Sequence, residues 1–126
     1  IARRRRVHRY AFAIGRREYR HILHAVFLLR LGRVFAQQIV GLGNEGDVLV
    51  AISTSGNSSN VVDACITAKA LNLNIIGLTG ESGGKMKEFC DVVLNVPEKK
   101  TARVQELHLP VMHALCRITE NHFYNQ

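Results

Sequence analysis

Five hydroxyl side chains and one glycine stand within the seven residues STSGNSS, Ser53 to Ser59, between a strand-like run and a helix-like run. A helix N-terminus offers unpaired N–H groups and a partial positive charge, to which hydroxyls add donors. The stretch contains no Lys or Arg. It therefore predicts a cradle for the phosphate of a sugar monophosphate, rather than for a triphosphate with magnesium. The same serines also fit a plain helix N-cap, and the pattern matches neither a Walker loop nor a dinucleotide fingerprint.

The elements around this loop alternate regularly from Val34 onward. Apolar runs that are typical of buried strands cover residues 47–52, 74–79 and 91–96, and helical patterns cover residues 34–43, 59–71 and 101–123. Pro110 removes one backbone hydrogen bond from the last helix. Short joints between strands and helices predict right-handed crossovers, hence a doubly wound α/β domain with a parallel sheet. Sites in such sheets lie at the carboxyl ends of strands, where the STSGNSS stretch stands.

Charge divides the chain into two parts. Residues 1–33 hold ten Arg and one Glu, a net +9, and residues 34–126 hold seven Lys or Arg and nine Asp or Glu, a net −2. We therefore separate an Arg-rich leader, residues 1–33, from a domain, residues 34–126. Arg without Lys is typical of a GC-rich gene read out of frame, and a genuine basic helix over residues 17–34 is the other interpretation. The leader has few aromatic residues among its arginines, so nucleic-acid binding is the weaker hypothesis.

Hydropathy and cysteine usage narrow the class of protein. No apolar run approaches the ~18 residues that span a bilayer, so a membrane partner is not expected. Cys65, Cys90 and Cys116 are isolated, with no C-x-x-C pair. This favours reduced thiols in the cytoplasm over a disulfide framework or a cysteine zinc site.

Three motifs in order, STSGNSSNVV, GLTGESGGKM and ARVQELHLPVMHALC, resemble the sugar isomerase (SIS) domain, and within it the phosphoheptose isomerases. The resemblance runs from about Val34 to Glu120. It implies conversion of sedoheptulose 7-phosphate to D-glycero-D-manno-heptose 7-phosphate, an early step towards the heptose of lipopolysaccharide. It also implies a cytoplasmic homotetramer with sites at subunit interfaces and one zinc ion per subunit. The family's phosphate-binding loop is matched by Ser53, Thr54, Ser55 and Ser58.

The resemblance assigns chemistry to two residues of the last helix. Gln105 matches the glutamine that meets substrate and metal, and His113 matches the catalytic, metal-binding histidine. An aldose–ketose isomerisation moves a proton between neighbouring carbons, and an imidazole can carry that proton near neutral pH. Eight helical residues rise ~12 Å, so the two side chains share a ligand only when extended or when the helix is distorted near Pro110. His108 is interpreted as a packing residue or a group behind the site, and His122 as part of a fraying end.

The resemblance also has a gap. The family carries an upstream strand, a glycine-rich turn and a helix with a catalytic glutamate and a histidine, both zinc ligands. Residues 1–33 do not match them, and Glu18 lacks the expected neighbours. We therefore expect a SIS domain without its N-terminal helix and first strand, and an incomplete catalytic pair. An alternative function is a non-catalytic SIS scaffold, similar to the relative that binds the bacterial replication initiator, although that relative lacks the histidine matched by His113.

Overall fold

The computed structural model describes residues 10–14 and 33–124, and four parallel strands form one sheet among them. The strands follow one another across the sheet in chain order, each paired with the next. The elements are β1 (Tyr10–Ile14), α1 (Val34–Leu42), β2 (Val48–Ser53), α2 (Ser59–Ala70), β3 (Asn74–Thr79), a 3-10 helix (Lys85–Glu88), β4 (Val92–Asn95) and α3 (Thr101–Tyr124).

Alternating side chains of β2 build two separate cores. Leu49 and Ala51 face one side, where residues of α1, α2 and the 3-10 helix cover the sheet. Val50 and Ile52 face the other side together with Leu78 of β3, and apolar residues of α3 cover them. This period of two follows from the pleat of a strand. The three layers confirm the predicted α/β architecture with helices on both faces of a parallel sheet.

β1 is a strand that the sequence analysis did not predict. Tyr10 to Ile14 pair in parallel with Val48 to Ile52, so the leader supplies a neighbour for β2 on this edge of the sheet. Five residues are enough for a strand, and YAFAI was too short a run to stand out from its arginine-rich surroundings. The sequence analysis expected the family's first strand to be absent, and in the structure residues of the leader give β2 a parallel neighbour on that edge. Most of the helix predicted over residues 17–34 lies outside the described residues, and so does Glu18.

The remaining predictions of elements are confirmed with small shifts of their bounds. Residues 85–88 form a short 3-10 helix after the paired glycines. α3 continues through Pro110 for its full 24 residues. None of the helices over residues 33–124 combines the length and apolar character that crossing a membrane requires.

Candidate functional site

The serine loop, residues 53–59, leaves β2 at its carboxyl end and enters α2. Ser53 is the last residue of the strand and is 2% exposed. Its hydroxyl donates to Ser58 Oγ at 3.0 Å, and the Gly56 N–H donates to the Ser53 carbonyl at 3.1 Å. The loop therefore folds back on itself and holds its two ends together.

The N-terminus of α2 has no capping serine. Ser58 stands at the N-cap position, but its side chain makes no hydrogen bond to a helix N–H. The first N–H groups of a helix have no intrahelical acceptor, and they carry the positive end of the helix dipole. This end of α2 therefore has no serine cap and lies beside the Ser53–Ser58 hydroxyl pair, while Asn60 Oδ1 accepts from the N–H of its third residue, Val61, at 3.0 Å. Of the two interpretations of the sequence, the arrangement favours an anion cradle over a serine N-cap.

Glycines lock the serine loop against the following turn. Gly56 has a φ of +67°, and a Cβ there would lie 2.0 Å from the Gly83 carbonyl oxygen. Gly83 and Gly84 also have positive φ, and a Cβ at Gly84 would lie 2.5 Å from the Ser55 carbonyl oxygen. Two backbones approach more closely here than any side chain permits.

Two hydrogen bonds join the same segments. The Met86 N–H donates to the Gly56 carbonyl at 2.9 Å, and the Lys85 N–H donates to Asn57 Oδ1 at 3.0 Å. Both donors belong to the stretch ESGGKM, residues 81–86, which follows β3. In the structure it supports the serine loop from behind, and it brings the exposed Lys85 next to that loop.

Gly80 is the point where the serine loop meets α3. Its N–H donates to the Thr54 carbonyl at 3.1 Å, and a Cβ on it would lie 2.7 Å from that oxygen and 3.3 Å from Val104 Cγ2. Val104 is in the first turns of α3 and is fully buried. The carboxyl end of β3, the serine loop and α3 are therefore in direct contact.

His108 fixes α3 at the same place. Its ring is 3% exposed, and its Nε2 lies 3.1 Å from the Thr79 carbonyl oxygen. A carbonyl only accepts, so Nε2 carries the proton in this arrangement. The buried Nδ1 has no hydrogen-bond partner among the described residues. The prediction of a packing residue is confirmed, and the hydrogen bond to the strand end is the part that spacing did not reveal.

Glu98 has a role at the start of α3 and was not singled out in the sequence analysis. Its Oε1 accepts from the backbone N–H groups of Lys99 and Lys100 at 2.7 and 3.0 Å, just ahead of α3. These two bonds, with a smaller contribution from Arg103, hold the pKa of the Glu98 carboxyl below its usual range. The signal in the sequence was an acidic residue shortly before a helix start, which is common enough to carry little weight.

Gln105 and His113, the residues of α3 predicted to take part in catalysis, lie outside the contact between α3 and the end of β3. Gln105 and His113 are both exposed, whereas the side of α3 that packs on the sheet carries Val104 and His108. No cluster of three or more His, Cys, Asp or Glu side chains that could hold a metal occurs within the described part of the chain. The fold therefore assembles the serine loop but does not complete a zinc site around Gln105 and His113.

Residues 5–80 match the family model of the SIS domain, which is more than half of the chain. The matched residues include the parallel strands β1 to β3 and the serine loop that leads into α2. The chain belongs to the SIS domain family. The match begins at residue 5, so the family resemblance extends into the leader, further than the motifs from Val34 indicated. The division of the chain at residues 33 and 34 stays a prediction.

Within the family, the chain is similar to phosphoheptose isomerases. It is 49% identical over 89 residues to the phosphoheptose isomerase of Aliarcobacter butzleri, covering 71% of this chain and 47% of that protein. It is 50% identical over 90 residues to that of Campylobacter jejuni, covering 71% of this chain and 48% of the relative. The chain thus spans about half the length of the curated relatives it matches.

Two solved structures of phosphoheptose isomerases superpose on this chain. The phosphoheptose isomerase of Neisseria gonorrhoeae superposes with a TM-score of 0.67 at 48% identity, over 69% of this chain and 50% of that one. The enzyme of Francisella tularensis superposes with a TM-score of 0.68 at 40% identity, over 71% of this chain and 50% of that one. The fold is thus shared with two phosphoheptose isomerases.

Proposed function

We propose that the chain acts in a phosphoheptose isomerase, converting sedoheptulose 7-phosphate to D-glycero-D-manno-heptose 7-phosphate. The observation that carries the proposal is the N-terminus of α2, which no serine caps, beside the hydroxyls of the serine loop. The names and identities of the relatives support the choice of a heptose phosphate over other phosphosugars.

The serine loop binds the phosphate end of the sugar. Anion binding here uses N–H groups and hydroxyls from Ser53, Thr54, Ser55 and Ser58, because the loop has no cationic side chain. Gly56 and the glycines behind it hold the loop in place before a ligand arrives. A preformed loop loses little conformational freedom on binding, which favours affinity for a small anion.

His113 carries the proton between the two carbons of the sugar. Its imidazole is exposed on α3, and proton transfer requires contact with the substrate and exclusion of water. We propose that a second subunit covers this face in a cytoplasmic homotetramer, with Gln105 as a substrate-binding residue beside it. A second acid or base remains unassigned among the described residues.

Zinc is the cofactor that the family resemblance implies. Gln105 and His113 are its proposed ligands, but no group of three or more His, Cys, Asp or Glu side chains that could hold a metal ion occurs among the described residues. They do not make a complete zinc site, so no step of the reaction is routed through the metal. We propose, on the basis of this reaction, that the chain takes part in the synthesis of the heptose of lipopolysaccharide.

The test is turnover of sedoheptulose 7-phosphate by the full 126-residue chain, followed by NMR. We expect His113→Ala to lower the rate by about 10²- to 10⁴-fold, the usual contribution of a general acid–base. His122→Ala is the matched control, because it removes another imidazole from α3 near its end and should leave the rate within about twofold.

Direct binding of the phosphosugar, measured by calorimetry, separates the two candidate functions. Binding with turnover that depends on His113 supports the isomerase. Binding without turnover in a folded chain would favour the non-catalytic SIS scaffold, and turnover unchanged by His113→Ala would refute the role of that histidine.

A further inference from the structure

Cys65 and Cys90 lie against each other on the side of the sheet that α2 covers. Cys65 is fully buried in the cluster that also contains Met86, and the half-buried Cys90 packs on that cluster from the turn after the 3-10 helix. Each thiol is the largest influence on the pKa of the other, as expected for two neighbouring side chains. The proposed function uses neither of them.

The backbone of β3 and the 3-10 helix hold Cys90 in this position. A Cβ at Gly77 would lie only 2.6 Å from Cys90 Sγ, so the glycine makes room for the sulfur above the strand. The Cys90 thiol donates to the Met86 carbonyl at 3.3 Å. The sulfur thereby lies over β3, beside the buried cluster to which Cys65 belongs.

The surroundings make the two thiols unequal. The neighbouring Cys65 thiol lowers the pKa of Cys90; burial and the Asp91 charge oppose this, and the Lys69 ammonium supports it. The Cys90 thiol and complete burial raise the pKa of Cys65. A thiolate is the nucleophilic form of cysteine, so Cys90 is the thiol that reacts first with a small oxidant.

We propose that Cys65 and Cys90 form an oxidation site at which hydrogen peroxide converts the two thiols to an intramolecular disulfide. The Cys90 sulfur attacks one peroxide oxygen, the O–O bond breaks, and Cys90 sulfenic acid and one water result. The Cys65 sulfur then attacks the Cys90 sulfur, the S–O bond breaks, and the oxygen leaves as a second water with the Cys65 proton. The thiols lose two electrons and the peroxide gains them.

Disulfide formation also weakens the support of the serine loop, and its effect on phosphosugar binding rests on the proposed function. An S–S bond is only ~2 Å long, so the sulfurs must approach, and Cys65 is held in the core. Cys90 therefore moves and loses its hydrogen bond to Met86, whose own N–H supports Gly56. We expect the oxidised chain to bind sedoheptulose 7-phosphate about two- to tenfold more weakly, as the loss of one hydrogen bond gives.

The experiment uses the full chain with Cys116→Ser, which removes the exposed third cysteine. Hydrogen peroxide is added stoichiometrically, the thiols are counted, and the peptides are identified by mass spectrometry. Calorimetry with sedoheptulose 7-phosphate follows on the reduced, oxidised and re-reduced chain. We expect both thiols to disappear together, a peptide linking residues 65 and 90, and an affinity that returns with dithiothreitol.

Two variants in the same background complete the design. Cys65→Ala should stop at Cys90 sulfenic acid, which dimedone traps, and Cys90→Ser should leave Cys65 unreacted. Peroxide that leaves both thiols free, or that oxidises Cys90 without linking it to an intact Cys65, overturns the proposal. A disulfide with unchanged affinity overturns the connection to the serine loop. If the reduced chain fails to bind the phosphosugar, the proposed function fails while the disulfide result stands.

Discussion

The serine loop and the exposed side of α3 carry the predicted chemistry, and the described fold treats them differently. The serine loop is held on every side by backbone of the same chain: Gly56 against Gly83, Met86 against Gly56, and Gly80 against Thr54. Gln105 and His113 are exposed on the helix that carries them. The proposed phosphate-binding half of the candidate site is thus built within one chain, whereas the proposed proton-transfer half would need a covering surface.

This difference follows from which part of each element is buried. The N-terminus of a helix that leaves a buried strand is brought to the sheet edge by the crossover itself. A residue on the outer side of a surface helix has no such constraint. The comparison predicts that substitutions in the serine loop change stability and binding, and that those on the exposed side of α3 change turnover alone.

The largest effect on stability is expected for Gly56→Ala. A side chain here meets the Gly83 carbonyl and must adopt a φ of +67°, so we expect a loss of about 2–4 kcal/mol in the free energy of unfolding, measured with urea. Gly41→Ala is the matched control, because nothing lies within 4 Å of its Cβ and it stands inside α1. That variant should be stabilised by about 0.5–1 kcal/mol. Equal stability of the two variants would show that the serine loop is not locked.

His108→Ala should come next. It removes a buried ring and the hydrogen bond to Thr79 O, and we expect the free energy of unfolding to fall by about 2–3 kcal/mol. Leu109→Ala, one residue further along α3 and 54% exposed, should change it by less than about 0.5 kcal/mol. Urea denaturation of both variants checks this. A mild effect of His108→Ala would mean that α3 is fixed to the sheet by other contacts.

Ser58→Ala tests the serine loop with a smaller change. It removes the acceptor of the Ser53 hydroxyl and one hydroxyl beside the α2 N-terminus, so the affinity for sedoheptulose 7-phosphate should drop about two- to tenfold in calorimetry. Thr67→Ala, in the last turn of α2, removes a hydroxyl that bonds the Asp63 carbonyl and should leave the affinity unchanged. Equal losses in both variants would argue against a phosphate at the N-terminus of α2.

The smallest effect concerns pH and lies outside both regions. Lys69 first, and then the Ile75 N–H at 2.7 Å, hold the pKa of Asp91 below its usual range. A lowered carboxyl pKa gives stability that is present above the ordinary pKa of aspartate and is lost as pH falls through the folded value. Asp91→Asn should therefore flatten the acid limb of stability, measured by thermal unfolding between about pH 2 and 5. The change at neutral pH should not exceed about 1 kcal/mol, because the pair is exposed. An acid limb as steep as that of the unchanged chain would contradict this.

Much of the architecture could be predicted because local pattern and global fold agree. The runs DVLVAI and NIIGLT are apolar throughout, as strands buried on both faces must be, and both became central strands. The serine loop was found because its five hydroxyl residues stand together between a strand pattern and a helix pattern. β1 was not found, because five residues among ten arginines carry no periodicity.

By itself, the sequence determined the α/β architecture, the serine loop at the carboxyl end of β2 and the membership of the SIS family that its motifs indicated. Each depends on residues close together in the chain. Only the tertiary structure decided that Gly83 and Gly84 lock against the serine loop, that His108 bonds the end of β3, and that Cys65 meets Cys90. Those contacts join segments about 25 to 30 residues apart, and no local periodicity encodes which distant backbones will touch.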